Sequence, residues 1–128
     1  MDRPLNILLV DNEAEFLESI TYWLETKEHN VRVAYSGEES LELIKNSTFD
    51  MVFLDIHMPG GIDGMETLRR IRATNPNLPV VMVTGYAKEE RMGEALQLGI
   101  SGFFPKTASF EDLGRIIKAA IRTHKDLH

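Results

Sequence analysis

Cysteine is absent from the 128 residues. Disulfides, thiol catalysis and zinc-thiolate sites are therefore excluded, and nothing marks the chain for an oxidising compartment. Positive charge is in short supply: 14 Lys and Arg face 20 Asp and Glu, a formal net charge of −6. That balance disfavours direct nucleic-acid binding, which needs basic surface to neutralise phosphates. No apolar stretch approaches the roughly 20 residues of a membrane span, and Met1-Asp2-Arg3-Pro4 leads into an apolar run too short for a signal peptide. A cytoplasmic setting with no membrane partner is expected. Internal repeats, low-complexity tracts and linkers are missing between residues 5 and 123. The expectation is one domain over 1–128, with a core of about 5–123 and a polar tail at 124–128 that frays or begins a linker.

The chain does have an alternation, five times over, of short apolar runs and helical patterns. Strands are predicted near 5–10, 31–35, 50–54, 79–83 and 101–104, and helices near 13–27, 37–46, 63–73, 87–98 and 109–123. The runs Ile7-Leu8-Leu9-Val10, Val52-Phe53-Leu54 and Val80-Val81-Met82-Val83 lack polar alternation, as strands buried on both faces do. Phe16, Ile20, Trp23 and Leu24 make one stripe on the first helix, and Leu113, Ile116, Ile117, Ala120 and Ile121 make one on the last. Ser36 with Glu39, and Ser109 with Asp112, have capping-box spacing, the second pair with a shorter acid. Gly99 closes the fourth helix, and Pro76 and Pro79 bracket the loop before the fourth strand. The first helix lacks a closing glycine, and its end is placed around Glu28 to Asn30. The pattern predicts an α/β fold: a five-stranded parallel sheet with helices on both faces and right-handed crossovers.

The chemistry gathers where the apolar runs stop. The first run delivers Asp11, the third Asp55, the fourth Thr84 and the fifth Lys106. In open α/β sheets ligands bind at the carboxyl ends of the strands. Two carboxylates, a hydroxyl and an ammonium at one such edge suit a divalent cation and a phosphoryl group. A hard cation such as Mg²⁺, or Mn²⁺ in its place, takes oxygen ligands, which Asp11, Asp55 and a backbone carbonyl of the turn after Asp55 can supply. One carboxylate, once screened, can attack phosphorus; Thr84 and Lys106 can hold phosphoryl oxygens. The plainer alternative is that an Asp after a strand merely starts a turn. It serves for one Asp better than for four strand-end residues of the right types.

The order Leu9-Val10-Asp11, Leu54-Asp55-Ile56-His57-Met58-Pro59-Gly60, Val83-Thr84-Gly85 and Phe104-Pro105-Lys106 resembles the receiver domain of two-component response regulators over about residues 5–123. The resemblance implies a flavodoxin-like (βα)5 doubly wound sheet of order 2-1-3-4-5. It implies that Asp55 accepts a phosphoryl group from the phosphohistidine of a histidine kinase or phosphotransfer protein, with Mg²⁺ required. Asp11, Asn12, Asp55 and the His57 backbone carbonyl then hold the metal, Thr84 is the switch hydroxyl, Lys106 the pocket lysine and Phe103 the switch aromatic. The output is a changed face of the fourth helix, fifth strand and fifth helix, for a downstream domain, a protein or a second copy. Beyond transfer to itself and its own dephosphorylation, no enzymatic turnover is expected.

Four departures from the family's pattern stand out. Asn12 occupies the place of a second acid, so weaker metal binding is expected; Glu13, one residue further on, is expected to point away. The loop Met58-Pro59-Gly60-Gly61-Ile62-Asp63-Gly64 is one residue longer than usual and is expected to bulge without moving Asp55. Thr107 follows Lys106 where a cis proline is usual. A cis bond before a non-proline costs about 3 kcal/mol, so the expectation is trans unless the fold imposes cis. Gly85 replaces a small Ala. His57 and Tyr86, each two residues past a site residue, are candidates to modulate hydrolysis of the phosphorylated state; for His57 an exposed loop role, and for Tyr86 packing on the fourth helix, are the alternatives. Asn12 and Thr107 also leave open a degenerate receiver acting as a phosphorylation-independent interaction module. A haloacid-dehalogenase-type phosphatase would need a second acid where this chain has His57. A flavin module would need a phosphate loop after the first strand.

Overall fold

A computed structural model of the chain describes residues 3–85 and 91–127, the last five by backbone alone. Strands β1 (Asn6–Val10), β2 (Asn30–Ala34), β3 (Met51–Asp55), β4 (Val80–Thr84) and β5 (Gly102–Pro105) alternate with helices α1 (Ala14–Thr26), α2 (Gly37–Asn46), α3 (Gly64–Thr74), α4 (Met92–Leu98) and α5 (Phe110–Leu127). The strands form one sheet in the order β2-β1-β3-β4-β5. Every pairing is parallel, with Leu9 beside Phe53, Asp55 beside Val83 and Thr84 beside Pro105.

Strand side chains alternate between two faces, and each face has its own core. Ile7, Leu9, Phe53, Val81 and Val83 meet Leu17, Ile20 and Leu24 of α1 and Leu113 and Ile117 of α5. Leu8, Val10, Val52, Leu54 and Met82 meet Met65, Leu68 and Ile71 of α3 and Ala95 of α4. β3 and β4 are buried along their whole length, whereas β2 at the edge alternates in exposure. Burial of one Leu or Ile side chain contributes about 1.5–3 kcal/mol, and Leu8, Leu24, Leu54, Leu68 and Ile71 are all fully buried.

Local chemistry sets the element ends. Ser36 Oγ accepts the Glu39 N–H at 3.1 Å, while the Glu39 carboxylate reaches the Tyr35 N–H at 2.7 Å, one residue before a full capping box. Ser109 and Asp112 do complete the box, at 3.2 and 3.4 Å. Asp63 caps α3 by accepting the Glu66 N–H at 2.9 Å. α1 stops at Thr26, earlier than its lack of glycine suggested, because Glu28 itself takes φ 70°. Its N–H reaches the Glu25 carbonyl at 2.9 Å and the His29 N–H reaches the Leu24 carbonyl at 3.1 Å, a Schellman closure. α5 runs to Leu127 instead of ending near 123; Arg122 to Leu127 contains no Gly or Pro to stop it. The expected start of the fourth helix at 87 lies outside the described residues.

Two glycines permit close approaches. A Cβ on Gly64 would lie 2.1 Å from the Asp55 carbonyl oxygen, and one on Gly37 would lie 2.1 Å from Thr67 Oγ1. Only glycine lets α3 begin against the end of β3.

Candidate functional site

The site is assembled by the sheet order. Because β1 and β3 are neighbours, Asp11, the first residue past β1, sits next to Asp55, the last residue of β3. β4 ends in Thr84, and Lys106 follows the last residue of β5; the Lys106 N–H donates to the Thr84 carbonyl at 2.8 Å. Asp11, Asp55 and Thr84 are 2%, 3% and 4% exposed, so water is largely excluded from three of the four groups.

Lys106 spans the pocket. Its Nζ lies 2.9 Å from Asp11 Oδ2 and 3.6 Å from Asp55 Oδ2. It also reaches Glu13 Oε1 at 2.5 Å, and it stands 4.8 Å above the Phe16 ring centroid, a cation–π contact. A Cβ on Gly85 would meet Lys106 Cδ at 3.9 Å, ordinary contact, so space does not require a glycine there. Thr107 leaves Lys106 in place: the described chain contains no cis peptide bond, as the absence of proline predicted for this position.

Charge crowding shows in the ionisation of these groups. Burial pushes the Asp55 carboxyl up to about 6, and the adjacent Asp11 charge adds to this; Lys106 and the His57 N–H, 3.3 Å from Asp55 Oδ1, act in the opposite sense. Burial pulls the Lys106 ammonium down, but the Glu13 and Asp11 carboxylates beside it outweigh that and raise it overall.

Carboxylate oxygens of Asp11, Glu13 and Asp55 lie within 4.8 Å of one another. Asp11 Oδ2 is buried and accepts no hydrogen bond; the ammonium beside it acts as a charge rather than an aligned donor. A buried anionic oxygen that accepts no hydrogen bond, in an all-oxygen cluster, fits a hard metal ion.

Glu13 corrects the sequence reading, which turned it away from the site. The Glu13 N–H donates to Asp11 Oδ1 at 2.9 Å, a local turn that brings the residue back over the pocket. Glu13 is the N-cap position of α1 but makes no side-chain cap; its carboxylate goes to Lys106 instead. Phe16 was read only as part of the α1 stripe. Its place under Lys106 needed the β5 end to be brought to α1, which no local pattern signals.

The remaining expected residues are placed as follows. Asn12 and His57 are exposed, while Phe103 is half-buried against the face covered by α3 and α4. Tyr86 lies outside the described residues. In the long loop Gly60 takes φ 91°, and the Ile62 N–H donates to the Glu38 carboxylate at 3.0 Å, which ties the loop to α2. Asp55 pairs in register with Val83 at the start of this loop. Asp63 is also held by Arg91 at 2.8 Å, which links the start of α3 to Arg91, the N-cap residue of α4.

The chain is similar to known proteins. The transcriptional regulatory protein ZraR of Escherichia coli K12 is 34% identical over 121 residues, covering 94% of this chain and 27% of ZraR. The response regulator MprA of Mycobacterium sp. KMS is 33% identical over 119 residues, covering 93% of this chain and 51% of MprA. The chain thus spans about a quarter to a half of these relatives' lengths. Among solved structures, a CheY-like receiver domain protein of Methanospirillum hungatei matches with a TM-score of 0.90 at 28% identity, over 98% of this chain and all of that one. NtrX of Brucella abortus matches with a TM-score of 0.90 at 30% identity, over 96% of this chain and 28% of NtrX. The response regulator receiver domain model matches residues 7–118, nearly the whole folded core, and the chain belongs to that family.

Proposed function

We propose that this domain receives a phosphoryl group on Asp55 from a phosphohistidine of a histidine kinase or phosphotransfer protein and relays the change through its surface. The observation that carries the proposal is a buried carboxylate at the end of a central strand, with Asp11 beside it and Lys106 3.6 Å away. A carboxylate oxygen of Asp55 attacks phosphorus, the phosphorus–nitrogen bond breaks, and the histidine leaves with that electron pair. Lys106 and Thr84 are positioned to hold the phosphoryl oxygens. Asp11, Asp55, the His57 carbonyl and Asn12 are the proposed metal ligands. Bound Mg²⁺, or Mn²⁺, would neutralise charge on the transferred group and on the carboxylates.

The switch follows as Thr84 moves toward the phosphoryl group and Phe103 turns inward, shifting a two-state population. The proposed output face is α4, β5 and α5. Met92 and Leu96, four residues apart on α4, are exposed there, a surface suited to a downstream domain, an output protein or a second copy. Turnover of external substrates is not part of this proposal, and a cytoplasmic setting is. Among the described residues no helix is long and apolar enough to cross a membrane.

Intact-mass spectrometry after acetyl phosphate and Mg²⁺ tests the reading. One added phosphoryl group, about 80 Da, is expected, and Asp55→Asn abolishes it. Full labelling of that variant refutes the assignment. A parent protein that stays unlabelled points to the phosphorylation-independent interaction module.

A further inference from the structure

We infer that Glu13 supplies the third carboxylate of the metal site, in place of the acid that Asn12 does not provide, and exchanges its bond to Lys106 for the cation. The inference rests on the receiver reading above and adds a ligand to it. Three observations carry it. Glu13 Oε1 is on the Lys106 ammonium, which also faces Asp11 and Asp55, so the Glu13 carboxylate already borders the pocket. Its α1 N-cap position would let it bond its own helix, and it does not. The buried Asp11 Oδ2, which accepts no hydrogen bond and is paired with the same ammonium by charge alone, is part of the same cluster.

Charge and distance agree. Three carboxylates against one ammonium leave a formal −2, which one divalent cation cancels. Oxygens around Mg²⁺ at about 2.1 Å stand roughly 3–4 Å apart, and these three already lie within 4.8 Å. Asp11 and Asp55 are anchored at strand ends, while the Glu13 side chain is 62% exposed and can rotate the remaining distance once it leaves Lys106. Release of Lys106 by Glu13 also leaves the ammonium available to a phosphoryl oxygen. The resting ion pair and the loaded site are therefore two uses of one carboxylate.

The test is Mg²⁺ affinity, measured by isothermal titration calorimetry on the unphosphorylated chain. Glu13→Gln is expected to weaken binding about tenfold. Asn12→Asp added to Glu13→Gln is expected to restore most of the loss by returning a carboxylate from the neighbouring position. Thermal unfolding without metal checks that each variant is folded; Glu13→Asp, with a shorter reach, serves as a second variant and is expected to fall between parent and Glu13→Gln. Parent-like or tighter Mg²⁺ binding by Glu13→Gln overturns the inference, as does a double variant no better than Glu13→Gln. If the parent binds Mg²⁺ and labels on Asp55 while Glu13→Gln loses nothing, only the role of Glu13 falls. A parent that neither binds Mg²⁺ nor labels removes the phosphoacceptor reading along with it.

Discussion

Replacing Asp55 by Asn should make the protein more stable at neutral pH, and the gain should disappear in acid. The carboxyl is pushed from 3.8 up to about 6, first by burial and then by Asp11. A folded pKa above the unfolded value means that the native state binds the extra proton between pH 4 and 6. The fold therefore loses stability as pH rises through that window, because the ionised carboxylate is held in a buried, like-charged site. The shift corresponds to at most about 3 kcal/mol. Solvent at the pocket mouth and the Lys106 charge reduce it, and about 1–2 kcal/mol is expected at pH 8. Asn keeps the shape and removes the charge, so it mimics the protonated form at every pH. Urea unfolding of parent and Asp55→Asn at pH 4, 5, 6, 7 and 8 measures the difference. A gain that grows between pH 4 and 6 and is flat above 7 agrees with this reasoning. A variant less stable than the parent at pH 8, or a gain independent of pH, refutes it.

Three other substitutions probe the frame and the site. Glu28→Gly should stabilise the protein by about 1 kcal/mol, because Glu28 closes α1 at φ 70°, a conformation that costs side-chain-bearing residues; equal urea midpoints would contradict this. Gly64→Ala should destabilise by at least about 1–3 kcal/mol, since its Cβ would meet the Asp55 carbonyl oxygen at 2.1 Å; a parent-like unfolding curve would show that α3 does not start so close to β3. His57→Ala should speed loss of phosphate from Asp55 if the exposed ring shields phosphorus from water. Slower loss would mean that His57 orients the water. Phosphoaspartate decay from pH 5.5 to 8 separates these, and identical decay leaves His57 as a loop residue.

Strand number, helix number and the strand-end location of the site were legible in the chain because they depend on short-range patterns. Runs such as Val80 to Val83 have no polar face, so they belong inside a covered parallel sheet wherever that sheet is. Asp55 and Thr84 could be placed at strand ends because apolar runs stop at them. Thr107 was also legible: without proline, the bond after Lys106 is trans. Helix ends were less so. Glu28 adopts a backbone angle that its side chain disfavours, and the Schellman bonds to Glu25 and Leu24 hold it there. α5 passed its expected end because polar residues at a helix terminus are compatible with helix as much as with fraying.

Which residues meet at the site was decided in part by the chain and in part only by the fold. The sequence by itself determined a parallel α/β sheet with Asp11, Asp55, Thr84 and Lys106 at one edge, since periodicity and run ends are local properties. The tertiary structure alone decided that Glu13 turns inward onto Lys106, that Phe16 lies beneath the same ammonium, and that Asp63 is held by Arg91. Glu13 and Lys106 are 93 residues apart. The direction of an exposed carboxylate follows from the nearest opposite charge in space, and the sheet order β2-β1-β3-β4-β5 brings the end of β5 back across the pocket to that charge's partners.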